Sequence, residues 1–462
     1  MDNSKKLSLF TVTCMNIGVI VGAGIFSSLV EACLLAGAAI VLAIAVAVIE
    51  VVVRYLPSII PSASIPAQSG FYMYMARLVS PLAGYLIVVK FIFNICIIAM
   101  LSTTFATYFC ALVPSVNPML VKVVVLVLFT CTACCGVQIS SWIQNGMVVL
   151  LVAGLLLYFV TGVGHINPEY FTVGKAFDLG SIDFSTFGAA IAMMATSLAG
   201  GTSAAFIADD IKNPARNVIL SFILSTAIVG VLYILMGAVT YGCVDVTQIT
   251  SLAEVAEMNM SPTLYILFMI LGALMAIATT INGNLYSAAA SMEPIARDKV
   301  FPSIFLKKNR FGMCPAAVLS LAIPALVLVL FNISVGTLMK VSSIVAIVIG
   351  VCQFVPVLRL HKLYPHCMKH APIKFSRPLL YLIMGVSLAF CVYEAYSLLV
   401  TTSVSAWITL VGALVVFFGY FFLRRAYLQK QGIDLYALMS APYKPWEEAE
   451  QKYRQMDEGA KA

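Results

Sequence analysis

The sequence predicts an all-α integral membrane protein with twelve transmembrane helices. Two observations support this fold class. Hydrophobic residues make up 61% of the 462 residues and charged residues only 10%, whereas an average soluble domain has roughly 25% charged residues. Apolar runs also recur at about the ~20 residues that a helix needs to cross the hydrocarbon core. The twelve runs lie near residues 9–35, 38–57, 82–110, 119–137, 142–164, 184–208, 217–243, 263–291, 315–332, 335–358, 378–400 and 405–424.

The first apolar run follows Lys5 and Lys6. It continues past the length of a signal peptide, and no small-residue cleavage site stands out in it. We therefore expect this run to be retained as the first span.

Glycines interrupt the first and the sixth runs. The first contains NIGVIVGAGIFSS, with Gly18, Gly22 and Gly24, and the sixth contains MMATSLAGGTSAAFIADDIKNP, with Gly200 beside Gly201. Each interior Gly costs roughly 0.5–1 kcal/mol relative to Ala in a helix, so we expect both helices to unwind there. Interrupted helices at corresponding places in two halves are typical of inverted-repeat transporters, which bind their substrate near the midplane. The alternative is helix packing, since Gly18 and Gly22 also have the small-xxx-small spacing.

An unwound turn inside a bilayer exposes backbone N–H and C=O groups. Such groups are tolerated only where they line a cavity or meet a ligand. The amino end of the resumed half-helix attracts an anion, and the carbonyls that end the first half accept hydrogen bonds from a cation. A zwitterionic ligand would satisfy both.

Two stretches are expected to lie outside the membrane. PSIIPSASIPAQSG, Pro57 to Gly70, contains three prolines, and this density predicts that the second helix ends and a loop begins. Residues 425–462 are charged and partly helical in pattern. We expect them to form a cytoplasmic tail.

Basic residues fall mainly in loops that twelve spans place on one side, and Lys175 is the clear exception. Because Lys and Arg concentrate in cytoplasmic loops, we expect a multi-pass protein of the cell (plasma) membrane with both termini in the cytoplasm. The formal net charge of +7 then follows from topology and does not indicate a nucleic acid partner.

Four stretches carry a resemblance to a known family. GVIVGAGIF resembles the first-helix signature of the amino acid-polyamine-organocation (APC) superfamily of permeases, and SGFYMYMARLVSPLAGYL, ADDIKNPARNV and IARDKVFPSIFLKKNRFGMCPAAV are similar to its loops after segments 2, 6 and 8. The resemblance implies a LeuT-like 5+5 inverted repeat with helices 1 and 6 unwound at the midplane. It places a permease domain at 1–424 and a tail at 425–462, with repeat one at about 9–164, repeat two at about 184–358 and additional helices at about 378–424.

The resemblance also implies a function and a set of site residues. The family moves amino acids or related amines by alternating access, often as exchangers. The substrate carboxylate would meet the amides near Gly22, Ala23 and Gly24, and its ammonium the carbonyls near Ile20 and from Ser197 to Gly200. A polar contact from segment 3 would come from Asn94, whose alternative role is an interhelical hydrogen bond. The full set of candidate substrate-binding residues is Ile20, Gly22, Ala23, Gly24, Asn94, Thr196, Ser197, Gly200, Gly201 and Thr202.

Three departures from the family pattern concern substrate size and coupling. Thr196 aligns with an aromatic lid, Thr202 with a carboxylate linked to proton coupling, and Leu151 with a lysine of segment 5. Lys90 lies one turn from Asn94 and is a candidate to carry a coupling or substrate charge, or to extend toward the cytoplasm instead. We therefore expect an exchanger. The alternatives are a proton-coupled amino acid or polyamine symporter and, less favoured, a channel.

No catalytic or cofactor pattern is present in the sequence. The twelve cysteines are scattered, and the histidines fall in loops or near the interface, so the chain lacks the clustered residues that an enzyme or metal site needs. We expect a non-enzyme without cofactor or metal. Its partners would be a small amino acid or amine and the lipid bilayer, and the sequence makes no prediction of oligomeric state.

Overall fold

The computed structural model describes residues 6–67, 69–171, 184–249, 251–331, 344–345, 347–371, 377–401 and 404–459. Over these ranges the chain is built from helices, and Leu7 forms an isolated β-bridge with Ile211. The helices are α1 (Leu9–Ile20), α2 (Ala23–Ala36), α3 (Ile40–Ser64), α4 (Gly70–Leu78), α5 (Pro81–Leu112), α6 (Pro118–Cys134), α7 (Val137–Gly162), α8 (Phe184–Leu198), α9 (Pro214–Cys243), α10 (Leu252–Asn259), α11 (Pro262–Phe268), α12 (Met275–Ala290), α13 (Met292–Arg297), α14 (Pro315–Leu330), α15 (Phe354–Leu363), α16 (Pro365–Lys369), α17 (Arg377–Thr401), α18 (Val404–Lys430), α19 (Leu435–Ser440) and α20 (Lys444–Gly459).

Seven helical stretches of the described chain are long and apolar enough to cross a membrane. Three shorter apolar helices, at Pro118–Cys134, Pro315–Leu330 and Pro378–Tyr393, accompany them. The chain is therefore a multi-pass membrane protein. The first part of the predicted tenth span, 335–358, lies outside the described residues, which include 344–345 and continue from 347. The seven stretches are Leu9–Phe26, Ser28–Pro57, Pro81–Leu112, Ser141–His165, Pro214–Cys243, Pro262–Arg297 and Leu410–Lys430.

Helix starts follow from local sequence. The Ser80 hydroxyl accepts a hydrogen bond from the Ala83 N–H, and Pro81 fills the first position of α5. Asn117 and Pro118 do the same for α6. A polar cap satisfies an N–H that the helix leaves without an acceptor, and proline at the first position loses nothing because its N–H would have had no partner there.

The proline-rich stretch after the second apolar run is helical, so the loop predicted to begin at Pro57 was wrong. Helix α3 continues through Pro57 and Pro61 to Ser64. Each proline removes a single N–H, and the surrounding residues keep their bonds. The Ile65 N–H donates to the Pro61 carbonyl at 2.8 Å. Density of prolines was therefore a poor guide to where the helix ends.

An ion pair joins two of the stretches that resemble family loops. Arg77 at the end of α4 donates two hydrogen bonds to the Asp298 carboxylate after α13, at 3.0 and 2.8 Å. The Tyr72 hydroxyl donates a third at 2.7 Å. Both charged side chains are about one-tenth exposed, 10% for Arg77 and 9% for Asp298. The pair therefore connects parts of the chain that are far apart in sequence.

The C-terminal stretch folds back onto the same region. Trp446 of α20 is 2% exposed, its ring stacks on Tyr74 of α4 at 5.4 Å, and its indole N–H donates to the Pro66 carbonyl at 3.3 Å. The tail is thus a packed part of the protein.

A polar contact holds the far end of α20. Asp457 accepts hydrogen bonds from Lys369 at 2.5 Å and from the His366 ring at 2.7 Å. These bonds hold the pKa of the Asp457 carboxyl well below its usual range. Because its pKa is lowered, the Asp457 carboxylate is charged and stabilises this contact fully at pH values above its ordinary pKa. The contact is lost only as the pH falls through the lowered pKa.

Candidate functional site

The first apolar run is broken between α1 and α2, where the sequence predicts an unwound turn. Helix α1 ends at Ile20 and α2 begins at Ala23, so Val21 and Gly22 are non-helical. The Gly22 N–H bonds back to the Ile20 carbonyl at 2.9 Å. Gly22 offers no side chain to cap α2, and the first N–H groups of a helix lack intrahelical acceptors. The break thus leaves a carbonyl end and an amide end beside each other.

The sixth run changes its helix type at its glycines. Helix α8 ends at Leu198, and Ala199–Phe206 forms a 3₁₀-helix. The run therefore continues as a tighter helix through Gly200 and Gly201, where the sequence predicted that it unwinds, and among the described residues the next α-helix is α9. Within this 3₁₀-helix the Ala204 N–H donates to the Asn16 side-chain oxygen at 3.3 Å.

Gly200 brings the two interruptions into direct backbone contact. A Cβ atom at Gly200 would lie 2.6 Å from the Val19 carbonyl oxygen and 2.8 Å from the Ile20 nitrogen. Real Cβ atoms do not approach backbone this closely, so only glycine fits. Gly201 faces elsewhere, since a Cβ there would lie 3.1 Å from the Phe222 ring of α9.

Other predicted residues also meet at this place. The Ser197 hydroxyl lies 2.9 Å from that of Ser28, which donates to the Gly24 carbonyl at 2.6 Å. A Cβ at Gly24 would lie 3.3 Å from the Ser197 hydroxyl. Thr196 is exposed, and its hydroxyl donates within α8 to the Ala192 carbonyl at 2.9 Å. The structure therefore brings Ile20, Gly22, Gly24, Ser197 and Gly200 together.

The sequence analysis missed Thr280 of α12, which holds the carbonyl end of α1. Its hydroxyl oxygen lies 2.7 Å from the Gly18 carbonyl oxygen and 3.3 Å from that of Val21. A Cβ at Gly22 would lie 2.9 Å from the same hydroxyl. The available signal was the polar pair Thr279 and Thr280 inside an apolar run.

Asn16 was also missed, although it opens the glycine-rich stretch. It is fully buried. Its side-chain oxygen accepts from the Ser203 hydroxyl at 2.7 Å, and its amide donates to the Ser221 hydroxyl at 3.4 Å. One side chain thus connects α1, the 3₁₀-helix and α9.

We expect Asn16→Ala to destabilise the fold, because it leaves the Ser203 hydroxyl and the Ala204 N–H buried without their acceptor. Each such group costs about 1–3 kcal/mol. The melting temperature in detergent should fall well below that of Asn284→Ala, whose amide donates within its own helix to the Thr280 carbonyl. Equal melting temperatures for the two variants would contradict this role of Asn16.

Segment 5 presents Gln144 of α7 to the first helix. The Gln144 amide donates to the Thr279 carbonyl at 3.2 Å and its oxygen accepts from Asn282 at 2.9 Å. A Cβ at Gly18 would collide with the Gln144 amide nitrogen. A neutral amide therefore lies where α7 approaches α1.

Lys90 and Asn94 lie on α5. The Lys90 ammonium is 5.9 Å from the centroid of the Phe71 ring on α4, and Asn94 is 7% exposed. In the described part of the chain, no hydrogen bond joins Asn94 to the interrupted turns. The role of both residues stays a prediction.

Comparison with known proteins decides the family. Residues 7–440 match a family model described as "Amino acid permease". The chain belongs to the amino acid permease family. The predicted resemblance is thus confirmed, and both interrupted helices of this permease lie within the matched region.

Several characterised or named relatives are transporters. The permease is 24% identical to the methylthioribose transporter of Bacillus subtilis (strain 168) over 90% of this chain and 93% of the relative. It is 21% identical to the branched-chain amino acid permease BcaP of the same organism, again over 90% and 93%. It is 24% identical to the inner membrane transport protein YbaT of Escherichia coli (strain K12), over 78% and 84%.

Proposed function

We propose that this permease is a secondary transporter that moves an amino acid or a related amine by alternating access, as an exchanger. The observation that carries the proposal is the contact of Gly200 with the Val19–Ile20 backbone, directly beside the break at Val21 and Gly22. Two interrupted segments that meet this closely bring a carbonyl end and an amide end together at one point, and in a membrane such irregular backbone is tolerated where it lines a cavity or meets a ligand.

The substrate carboxylate would bind at the start of α2, at the amides of Gly22, Ala23 and Gly24. The positive end of the helix dipole favours an anion there. The ammonium would bind the Ile20 carbonyl and the carbonyls from Ser197 to Gly200. Asn94, Thr196 and Thr202 would complete the lining of the site, whereas Gly201, which the sequence analysis also included, packs against Phe222 of α9.

The proposed architecture is the twelve-span, LeuT-like one. Repeats at about 9–164 and 184–358, additional helices at about 378–424 and a tail from 425 would put both termini in the cytoplasm of a plasma-membrane protein. The distribution of basic residues supports this orientation.

Exchange is favoured over proton coupling because of what occupies the coupling positions. Thr202 and Leu151, which align with the family's proton-linked carboxylate and its segment 5 lysine, cannot carry a charge. Exchange needs only that each substrate binds both states of the carrier. A proton-coupled amino acid or polyamine symporter is the second candidate, and Lys90 is the residue that would carry its proton.

We expect counterflow in proteoliposomes to persist without a sodium or proton gradient. A thermal-shift screen of the purified protein would first select ligands among amino acids, their decarboxylated amines and methylthioribose, since a ligand that binds the folded form raises its apparent stability. A response to methylthioribose alone would contradict the zwitterion proposal. Uptake that requires a proton gradient, and loses that requirement in Lys90→Met, would replace the exchanger with the symporter.

A further inference from the structure

A groove opens on the outside of the helix bundle between the start of α1 and the start of α7. Its volume is about 1030 Å³. The residues that matter for its chemistry are Lys6, Phe10, Ser141, Trp142, Asn145 and Lys212. The groove is separate from the interrupted turns, and nothing in the proposed transport reaction uses it.

Two polar atoms in this groove lack partners. Ser141 is 4% exposed, and its hydroxyl oxygen is buried without a hydrogen bond. The side-chain oxygen of Asn145 is likewise buried without a partner, although the Asn145 amide donates to the Thr11 hydroxyl at 3.4 Å. Buried polar groups are nearly always satisfied, so these two atoms point to a ligand with hydrogen-bonding groups.

The groove is positively charged at one end. Lys6 and Lys212 both line this end. The parallel bridge between Leu7 and Ile211, in which the Lys212 N–H donates to the Leu7 carbonyl at 2.9 Å, holds their two segments together. Among the described residues no carboxylate lines the groove. An anionic group is therefore attracted to this end.

The rim of the groove is apolar and exposed. Phe10 is 61% exposed, Trp142 80% and Val149 57%. In a membrane protein, such side chains near a helix start face the acyl chains and the interface, where Trp is enriched. A Cβ at Gly146 would meet no atom within 4 Å, so an acyl chain has room beside α7.

We propose that this groove binds an anionic phospholipid. The phosphate lies between Lys6 and Lys212, the Ser141 hydroxyl donates to a phosphate or ester oxygen, and the acyl chains run along Phe10, Trp142 and Val149. Basic grooves between membrane helices at the headgroup level select anionic lipids in this way. The lipid would join the start of α1 to the segment around Lys212 that follows the 3₁₀-helix Ala199–Phe206.

Titration of the purified full-length protein with lipid, followed by native mass spectrometry, tests the proposal. Phosphatidylglycerol is expected to bind more tightly than phosphatidylcholine, and Lys6→Gln and Lys212→Gln should each weaken its binding about fivefold. Lys362→Gln is the matched control, because Lys362 is exposed and lies away from the groove. Equal binding of the two lipids, an equal loss in the control, or full occupancy by inorganic phosphate alone would overturn the proposal.

Tryptophan fluorescence provides a second measurement, made on folded protein reconstituted into bilayers. The three tryptophans are Trp142, Trp407 and Trp446, so a Trp407→Phe background leaves Trp142 to report on the groove and Trp446 in the tail. At a low mole fraction, brominated phosphatidylglycerol should quench the tryptophan fluorescence more strongly than brominated phosphatidylcholine. This difference in quenching should disappear in the double variant Lys6→Gln, Lys212→Gln. Identical quenching by both lipids would contradict a selective site.

Discussion

Gly200→Ala is expected to abolish transport while the protein still inserts into the membrane. The added methyl carbon would lie 2.6 Å from the Val19 carbonyl oxygen and 2.7 Å from its carbonyl carbon. Both atoms belong to backbone, which cannot move aside as a flexible side chain can. The two interrupted segments must therefore separate, and the amide and carbonyl groups that bind the substrate lose their mutual positions. Counterflow per reconstituted molecule measures the loss.

A graded series makes the same test quantitative. Gly22→Ala meets the Thr280 hydroxyl at 2.9 Å and should reduce substrate affinity strongly, whereas Gly24→Ala meets the Ser197 hydroxyl at 3.3 Å and should have a smaller effect. Gly385→Ala is the control, since a Cβ there meets nothing within 4 Å. Normal transport by a well-folded Gly200→Ala protein would show that these glycines serve helix packing and do not position the substrate site.

Arg77→Met is expected to produce the largest loss of stability of any single substitution discussed. It leaves the Asp298 carboxylate, whose side chain is 9% exposed, without its counterion. Removing one partner of a buried pair costs about 3–5 kcal/mol because the other charge stays buried. Thermal unfolding in detergent, monitored through the monodispersity of the heated sample, measures this loss of stability.

The comparison for this prediction is an ion pair nearby in the sequence whose arginine is exposed. Arg297 bonds Glu293 at 2.6 Å with its side chain 61% exposed, and Glu293 also bonds Lys308 at 2.9 Å. The carboxylate therefore keeps a cation when Arg297 is removed, and a pair with an exposed partner contributes about 0–1 kcal/mol. Arg297→Met should therefore hardly change the melting temperature. The double variant Arg77→Met, Asp298→Leu should recover part of the loss, and a double variant as unstable as the single one would show that the charge was not the cause.

Local sequence was sufficient to place the break in the first helix. The glycines at 18, 22 and 24 weaken the helix wherever it packs, so the interruption at Val21 and Gly22 follows from propensity alone. Gly200 and Gly201, at the corresponding place in the second half, indicated that a second interruption belongs to the same site. The contact of Gly200 with Val19 then required the fold, since these residues meet only in three dimensions.

Other features depended on partners that no local pattern reveals. The 3₁₀-helix after Leu198 is bonded to α1 through Asn16, whose side-chain oxygen accepts from the Ala204 N–H. Helix α3 continues through Pro57 and Pro61 because the neighbouring residues keep their hydrogen bonds. Thr280 and Gln144 are ordinary polar residues in apolar runs, and their roles emerge only from the carbonyl oxygens that they reach.

The burial of Trp446 has a consequence for the biogenesis of the protein. Its acceptor, the Pro66 carbonyl, lies 380 residues earlier in the chain. At 5–20 residues per second, the ribosome needs roughly 20–80 s to synthesise that distance. The ring of Tyr74 therefore lacks its stacking partner while most of the helices are being inserted, and Trp446 covers it only near the end of synthesis. A chain released before Trp446 is synthesised would leave that ring exposed to the cell's proteases.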